Sequence, residues 1–318
     1  MVNQILSCDW GTSSFRLRLI NLPDGTIHAE SKTGKGIAII YNEWLQSGKP
    51  EKERIDFYRE ILQSQIYNLS GSALKGLPVV ISGMASSSIG IKEMPYCEIP
   101  FNLKEINLNI FSIPANEKFQ NEMILISGIR TPNDIMRGEE TILTGCLTDE
   151  SLVNQLFIFP GTHSKHVVVQ NGLVRDIKTY MTGELFELLS TKSILARSVE
   201  RTDKAAFNFE LFTMGVQEAA ANNLLNSIFH IRTKQLFGEL NKQENYYYLS
   251  GLLIGEEMKN LKDKNFGSVT LVSSGILSDI YRSALSLLGI NAEVNELDAE
   301  KAFIRGQILI FNHLLNSL

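Results

Sequence analysis

The chain has 318 residues, 44% of them hydrophobic, and a net charge of −5 from 30 basic and 35 acidic side chains. That length exceeds one ordinary core and calls for two domains, the absence of a basic cluster argues against a nucleic-acid partner, and no apolar stretch is long enough to span a membrane. Cys8, Cys97 and Cys146 are scattered, odd in number and without metal-ligand spacing, which suits a reducing cytoplasmic setting, and Asp9 interrupts any apolar signal segment.

Ile5-Leu6-Ser7-Cys8 reads as a buried strand, and Phe15-Arg16-Leu17-Arg18-Leu19 alternates as a second. Asp9-Trp10-Gly11-Thr12-Ser13-Ser14 joins them. A glycine-bearing turn between strands can aim backbone N–H groups and hydroxyls at a phosphate. Asp9 stands where it could hold a hydrated Mg²⁺ beside that phosphate. The same residues also suit a plain hairpin turn capped by its own Asp and Thr. No G-x-x-x-x-G-K-[ST] run exists, so a P-loop is excluded.

Pro23-Asp24-Gly25 marks the next turn. Residues 52–68 carry Ile55, Tyr58, Ile61, Leu62 and Ile66 at helical spacing. Leu77-Pro78-Val79-Val80-Ile81 is a short strand leading into Ser82-Gly83-Met84-Ala85-Ser86-Ser87-Ser88. Residues 100–126 read as irregular with short strands, and a helix is expected from near Gly138 through Cys146. Polar Asp149-Glu150-Ser151 marks the boundary, which gives domains 1–148 and 149–318.

Residues 156–172, LFIFPGTHSKHVVVQNG, repeat the opening pattern: apolar strand, Gly161-Thr162 turn, apolar strand Val167-Val168-Val169. Asn171-Gly172 then signals a tight hairpin turn. Thr182 is the expected N-cap of a helix from Gly183 to about Val199. Further helices are expected over 207–228, 245–262, 277–289 and 299–316, with Thr270-Leu271-Val272 a strand before Ser273-Ser274-Gly275. Strands mixed with helices in both halves make an α/β protein.

Four segments can carry chemistry. The two Gly-Thr turns could clasp phosphates, with His163 and Lys165 adding donors beside the second. In Met136-Arg137-Gly138-Glu139-Glu140-Thr141, Glu139 and Glu140 at a helix start suit the dipole, and either could instead take a proton from an attacking hydroxyl. Arg137 could hold an anionic substrate group, since guanidinium forks suit carboxylates, or could pair with those glutamates. Small residues at Ser273-Ser274-Gly275 would let a flat base approach the backbone, or make a tight strand–helix connection.

DWGTSSFRLRL at 9–19, SGMASSSIG at 82–90, MRGEET at 136–141, FPGTHSKHV at 159–167, MTGELFELL at 181–189 and LSGLLIGEE at 249–257 together resemble the 2-dehydro-3-deoxygalactonokinase family, within the sugar kinase, Hsp70 and actin superfamily. The resemblance implies a two-domain actin-like (ribonuclease H-like) ATPase fold with a duplicated phosphate-binding hairpin, and a central cleft whose closing limits ATP hydrolysis. It implies ATP-dependent phosphorylation of the 6-hydroxyl of 2-dehydro-3-deoxy-galactonate in galactonate catabolism, with Mg²⁺ held at Asp9. By position, Gly11, Thr12, Ser13 and Ser14 match the first phosphate motif, and Gly161, Thr162 and His163 the second. Ser274 and Gly275 match the adenosine motif, which in the family has adjacent glycines. Glu139 and Glu140 occupy the place of the catalytic acid residue, with Glu184 next in order. Arg137, Lys165 and Lys178 are candidates for the substrate carboxylate. A kinase of another sugar or sugar acid, or a non-catalytic nucleotide-switched module, would share much of this pattern, and a homo-oligomer is compatible with it. An aspartic protease is disfavoured, because a second Asp-x-Gly-[ST] is missing.

Overall fold

In the computed structural model, residues 3–70, 74–147, 154–201 and 207–317 are described. The chain forms two units, one from 1–151, 172–175 and 299–318, the other from 152–171 and 176–298. The first contains β1 (Gln4–Trp10), β2 (Phe15–Asn21), β3 (Ile27–Thr33), α1 (Ile37–Ser47), α2 (Arg54–Ser70), β4 (Val79–Gly83), β5 (Cys97–Glu98), β6 (Phe101–Asn102), β7 (Ile110–Ile113), β8 (Met123–Ile126), β9 (Ile129–Arg130), β10 (Ile135–Met136) and α3 (Glu139–Cys146). The second contains β11 (Gln155–Phe159), β12 (Ser164–Gln170), most of β13 (Leu173–Tyr180), α4 (Thr182–Thr191), α5 (Phe209–Ala221), α6 (Leu224–Leu236), α7 (Lys242–Met258), β14 (Ser268–Val272), α8 (Ile276–Leu287) and β15 (Glu293–Leu297). The last helix, α9 (Ala299–Ser317), belongs to the first unit.

The two sheets share one plan. The first runs β3-β2-β1-β4-β8-β7, and the second contains β13-β12-β11-β14-β15 in the matching order. In each, the opening hairpin is antiparallel, and its first strand pairs in parallel with a later strand that pairs in parallel with the next. This is the duplicated α/β plan of the actin-like ATPase fold. The Asn171-Gly172 turn takes φ of 53° and 76°, the left-handed pair that a two-residue hairpin needs.

Period-two alternation divides β1 and β2 into two faces. Leu6, Cys8, Trp10, Phe15, Leu17 and Leu19 face a core with Tyr58, Leu62 and Ile66 of α2. The other face carries Ser7 opposite Arg18 and Asp9 opposite Arg16. Buried Arg18 donates from Nε to Glu30 at 2.6 Å and from Nη2 to Glu300 of α9 at 2.8 Å. Gln307 Nε2 of α9 reaches Cys8 O, Val80 O and Ser82 Oγ at 3.0–3.2 Å. In the second unit, Leu156, Ile158, Val269 and Leu271 pack with Phe212, Val216 and Ile280.

Several elements differ from expectation. Residues 149–318 do not stay together, because α9 packs on α3. The Asp149-Glu150-Ser151 boundary lies outside the described residues. The helix expected to Val199 ends at Thr191, and Ser193 accepts from Leu195 N to start a separate 3₁₀ turn. Thr182 does not cap α4, whose N-cap is Met181. The 207–228 helix is two, because Asn222 turns extended and Asn223 accepts from Leu225 N to begin α6. Apolar helix α1 and the largely polar strand β3 were not among the expected elements. Among the described residues no helix is long and apolar enough to cross a membrane.

Helices α3 and α9 cross at Gly145 and Gly306. A Cβ on Gly306 would lie 1.9 Å from Thr141 O, and one on Gly145 would lie 1.8 Å from Ala302 O. Alanine at Gly306 gains about 1 kcal/mol of helix propensity, but α9 must then move off α3. Overpacking of this kind costs about 1–3 kcal/mol or more. We therefore expect Gly306→Ala to lower the thermal midpoint by several degrees in a far-UV melt. Gly34→Ala, which would meet nothing within 4 Å, should leave it unchanged.

Candidate active site

Each Gly-Thr turn is tied back by the helix that follows its third strand. In the first unit, Gly11 N donates to Ser14 O at 2.9 Å, closing the turn. Ile37 N and Ala38 N, at the start of α1, donate to Gly11 O and Thr12 O. In the second, Glu184 N of α4 donates to Thr162 O at 3.0 Å. A glycine makes both contacts close enough: a Cβ on Gly36 would lie 2.3 Å from Thr12 O, and one on Gly183 would lie 2.6 Å from Gly161 O. With carbonyls engaged from behind, Thr12, Ser13 and Ser14 stay exposed, as do Gly161, Thr162 and His163.

The first unit brings together three of the sequence motifs. Asp9, half-buried near the end of β1, pairs in register with Ser82 of β4. Burial pushes the Asp9 carboxyl above its ordinary value, while Arg16 and Arg18 pull it back. Gly83 ends β4, and a side chain on Gly138 would touch it. Ser82 Oγ accepts from Thr141 Oγ1 at 3.0 Å, and the same hydroxyl lies 3.4 Å from Glu140 Oε1. A hydrogen-bonded chain therefore joins the start of α3 to the strand beside Asp9.

The two adjacent glutamates have different environments. Glu140 is fully buried, and Gly138 N donates to its Oε2 at 2.7 Å. Burial, then the charge of Glu139, pushes its carboxyl up to about 8, against weaker pulls from backbone N–H groups and Arg137. Glu139 is only half-buried, and Arg137 N donates to its Oε2 at 3.0 Å. The Arg137 guanidinium turns elsewhere. It lies over the Tyr96 ring, 4.1 Å from the centroid, and Nη1 donates to Ser86 O and Oγ at 2.5 Å.

In the second unit, His163 Nε2 lies 2.5 Å from Glu184 Oε2. Lys165 is buried and donates to Thr179 Oγ1 at 2.9 Å. Lys178 is exposed, and strand alternation puts it on the opposite face of β13 from Thr179. The two lysines are therefore not brought together. Ser274 and Gly275 are exposed at the start of α8, where Gly275 takes φ of 65°.

A cavity of about 600 Å³ opens in this unit beside Gly161, bounded by Gly183, Phe186, Phe207, Tyr246, Leu277 and Tyr281. Behind two of its lining residues, Thr182 and Tyr281, lies buried Glu257 of α7, which accepts from both and from Ser164, with His166 Nε2 at 2.9 Å. Sequence reasoning gave Glu257 and the aromatic lining no role. The signal was there in MTGELFELL and LSGLLIGEE, but neither motif says which side chains turn inward.

The model of the 2-keto-3-deoxy-galactonokinase family matches residues 9–310. A protein named as a probable 2-dehydro-3-deoxygalactonokinase of Rhizobium meliloti (strain 1021) is 34% identical over 306 residues, covering 94% of this chain and 93% of that one. The 2-dehydro-3-deoxygalactonokinase of Escherichia coli (strain K12) is 30% identical over 236 residues, 72% of this chain and 76% of its own. A solved Sinorhizobium meliloti structure described as a 2-dehydro-3-deoxygalactonokinase protein superposes with a TM-score of 0.83 at 32% identity, over 97% of this chain and 96% of that one. The match runs through every motif from the Asp9 turn to α9, and the chain belongs to the 2-keto-3-deoxy-galactonokinase family of carbohydrate kinases.

Proposed function

We propose that the protein transfers the γ-phosphoryl group of ATP to the 6-hydroxyl of 2-dehydro-3-deoxy-galactonate. The observation that carries this reading is the half-buried Glu139 at the start of α3, held by the Arg137 backbone N–H, in a chain of this kinase family. The second unit's cavity, between the Gly161 turn and the Ser274-Gly275 turn, receives the nucleotide, with the base among Phe186, Phe207 and Tyr246. The exposed amides and hydroxyls of the Gly161-Thr162 turn bind phosphate oxygens, and the Gly11-Thr12 turn of the first unit offers the same groups.

Glu139 is the base in this reading. It takes the proton of the sugar hydroxyl as that oxygen bonds to the γ-phosphorus and the bond to the β-phosphate oxygen breaks, releasing ADP. Phosphoryl transfer needs positioning and charge neutralisation more than covalent chemistry. No cluster of three metal-ligating side chains occurs among the described residues. One carboxylate, Asp9, with the nucleotide's own phosphates and water is the donor set that Mg²⁺ takes in such enzymes, so the residues fit that ion. Bound there, it would offset phosphate charge. Glu140, which keeps its proton at neutral pH, supports the turn instead.

Three outcomes test this reading. Glu139→Gln should lower kcat by roughly 10²–10⁴-fold, and Glu140→Gln by far less; the reverse order in a steady-state assay would move the base to Glu140.

The second concerns pH. Glu140 titrates near its ordinary value of 4.5 when unfolded and about 8 when folded. Between those values the folded protein holds a proton that the unfolded chain has released, so stability is lost as pH rises. The contribution is complete below about 4.5 and gone above about 8. The thermal midpoint of Glu140→Gln relative to wild type should therefore climb from pH 5 to pH 8 and then level off.

In an ADP-release assay across 2-keto-3-deoxy sugar acids and neutral hexoses, the galacto acid should give the highest kcat/KM. Arg137→Ala should raise its KM roughly ten- to a hundred-fold, the worth of one charge-assisted hydrogen bond, with KM for ATP unchanged. Equal turnover of a neutral hexose by the wild type would defeat the assignment of a sugar-acid substrate.

A further inference from the structure

Glu257 takes part in no step above, yet it is the most heavily bonded carboxylate in the second unit's interior. Its side chain is 1% exposed. Oε1 accepts from Ser164 Oγ at 2.6 Å and lies 2.9 Å from His166 Nε2, both on β12. Oε2 accepts from Thr182 Oγ1 at the start of α4 and from Tyr281 OH of α8 at 3.0 Å. No Lys or Arg pairs with it among the described residues.

Each donor adjoins a feature already placed at the nucleotide. Ser164 follows His163 of the second turn. Thr182 precedes Gly183, which rests on Gly161. Thr182 and Tyr281 themselves line the cavity. A carboxylate suits this junction because each oxygen accepts two hydrogen bonds, so one rigid group holds two pairs of donors at a fixed spacing. An amide would present two N–H groups to donors on one side. Burying a carboxylate without a cation is costly, and well-packed apolar residues often serve stability as well or better than buried ionic groups. Cohesion alone therefore explains the arrangement poorly. Among the described residues His166 Nδ1 is buried without a hydrogen-bond partner, so this ring takes its orientation from Glu257 and from Tyr180, 4.6 Å away between centroids.

We propose that Glu257 is a positioning residue that sets the second phosphate turn against the base cavity. By joining β12, the start of α4 and α8, it fixes the distance between the groups that bind the phosphates and those that bind the nucleoside. The proposal rests on the reading of that cavity as the nucleotide site.

The test compares Glu257→Gln with the milder Ser164→Ala and Tyr281→Phe, each of which removes one donor. Leu277→Trp runs alongside, because it narrows the cavity without touching Glu257. Binding of a non-hydrolysable ATP analogue and of adenosine is measured by calorimetry, with kcat, both KM values and the thermal midpoint. Glu257→Gln should weaken the analogue at least ten-fold and adenosine far less, and should lower kcat. Ser164→Ala and Tyr281→Phe should each show a three- to ten-fold part of that loss, and KM for the sugar acid should stay within two-fold throughout. A role in cohesion alone would lower the midpoint and leave folded enzyme with wild-type kcat and ATP affinity; that result overturns the proposal. Should Glu257→Gln not fold, the two single-donor variants decide by the same criterion. Unchanged analogue binding in Leu277→Trp overturns the cavity reading and the proposal with it. Weakened binding there, with unchanged binding in the Glu257, Ser164 and Tyr281 variants, overturns the proposal alone.

Discussion

A turn that is to hold an anion must first dispose of its own carbonyl oxygens. Both Gly-Thr turns do this in the same way: the first amides of the helix after the third strand bind those oxygens from behind. Gly11 O and Thr12 O take Ile37 N and Ala38 N, and Thr162 O takes Glu184 N. The helix can come that close only where its first residues lack a side chain, at Gly36 and Gly183. The duplication in this fold thus reaches beyond sheet order to the hydrogen bonds that shape each turn. What is left facing outward is a set of N–H groups and hydroxyls, the chemistry that phosphate oxygens accept.

The two units then diverge in what lies under their sheets. In the first, a polar chain runs from Glu140 through Thr141 and Ser82 to Gln307, beside Arg18 and its two glutamates. At the head of this chain, two neighbouring carboxylates are set apart first of all by burial. Residues 139 and 140 differ by about 100° around the helix, which turns one into the interior and leaves the other at the surface. In the second unit the corresponding polar centre is a single carboxylate, Glu257, with hydroxyls and a histidine around it.

The strand–turn–strand hairpins were legible because Gly-Thr between apolar runs is a local signal, and Asn171-Gly172 named its own turn type. The start of α3 was legible for the same reason. Which of Glu139 and Glu140 is buried was not, since either fits a helix start and only the packing of Gln307 and Ser82 decides it. The break between α5 and α6 was hidden by continuous helical periodicity, although Asn222-Asn223 marked it. Thr182 looked like a cap because Thr before a helix often is one; its hydroxyl instead donates to a carboxylate 75 residues away in the chain. Long-range polar partners of this kind leave no trace in sequence spacing.

Helix α9 gives the first unit an unusual history. Its residues are synthesised after the whole second unit, yet they cover one face of a sheet whose opening strand is the first element made. At about 5–20 residues per second, the opening hairpin waits on the order of 15–60 s for its cover. The face that waits is mixed: Ser7, Asp9, Arg16 and Arg18 share it with Ile5, Ile20, Val80 and Ile124, all buried in the finished protein, whereas the opposite face, apolar throughout, is served by α2, made soon after the hairpin. An apolar face left open on an unfinished chain is a place for other chains to stick. The charged and hydroxyl side chains interleaved on the waiting face break its apolar surface into small patches, so the covering that comes late falls on the less apolar of the two faces.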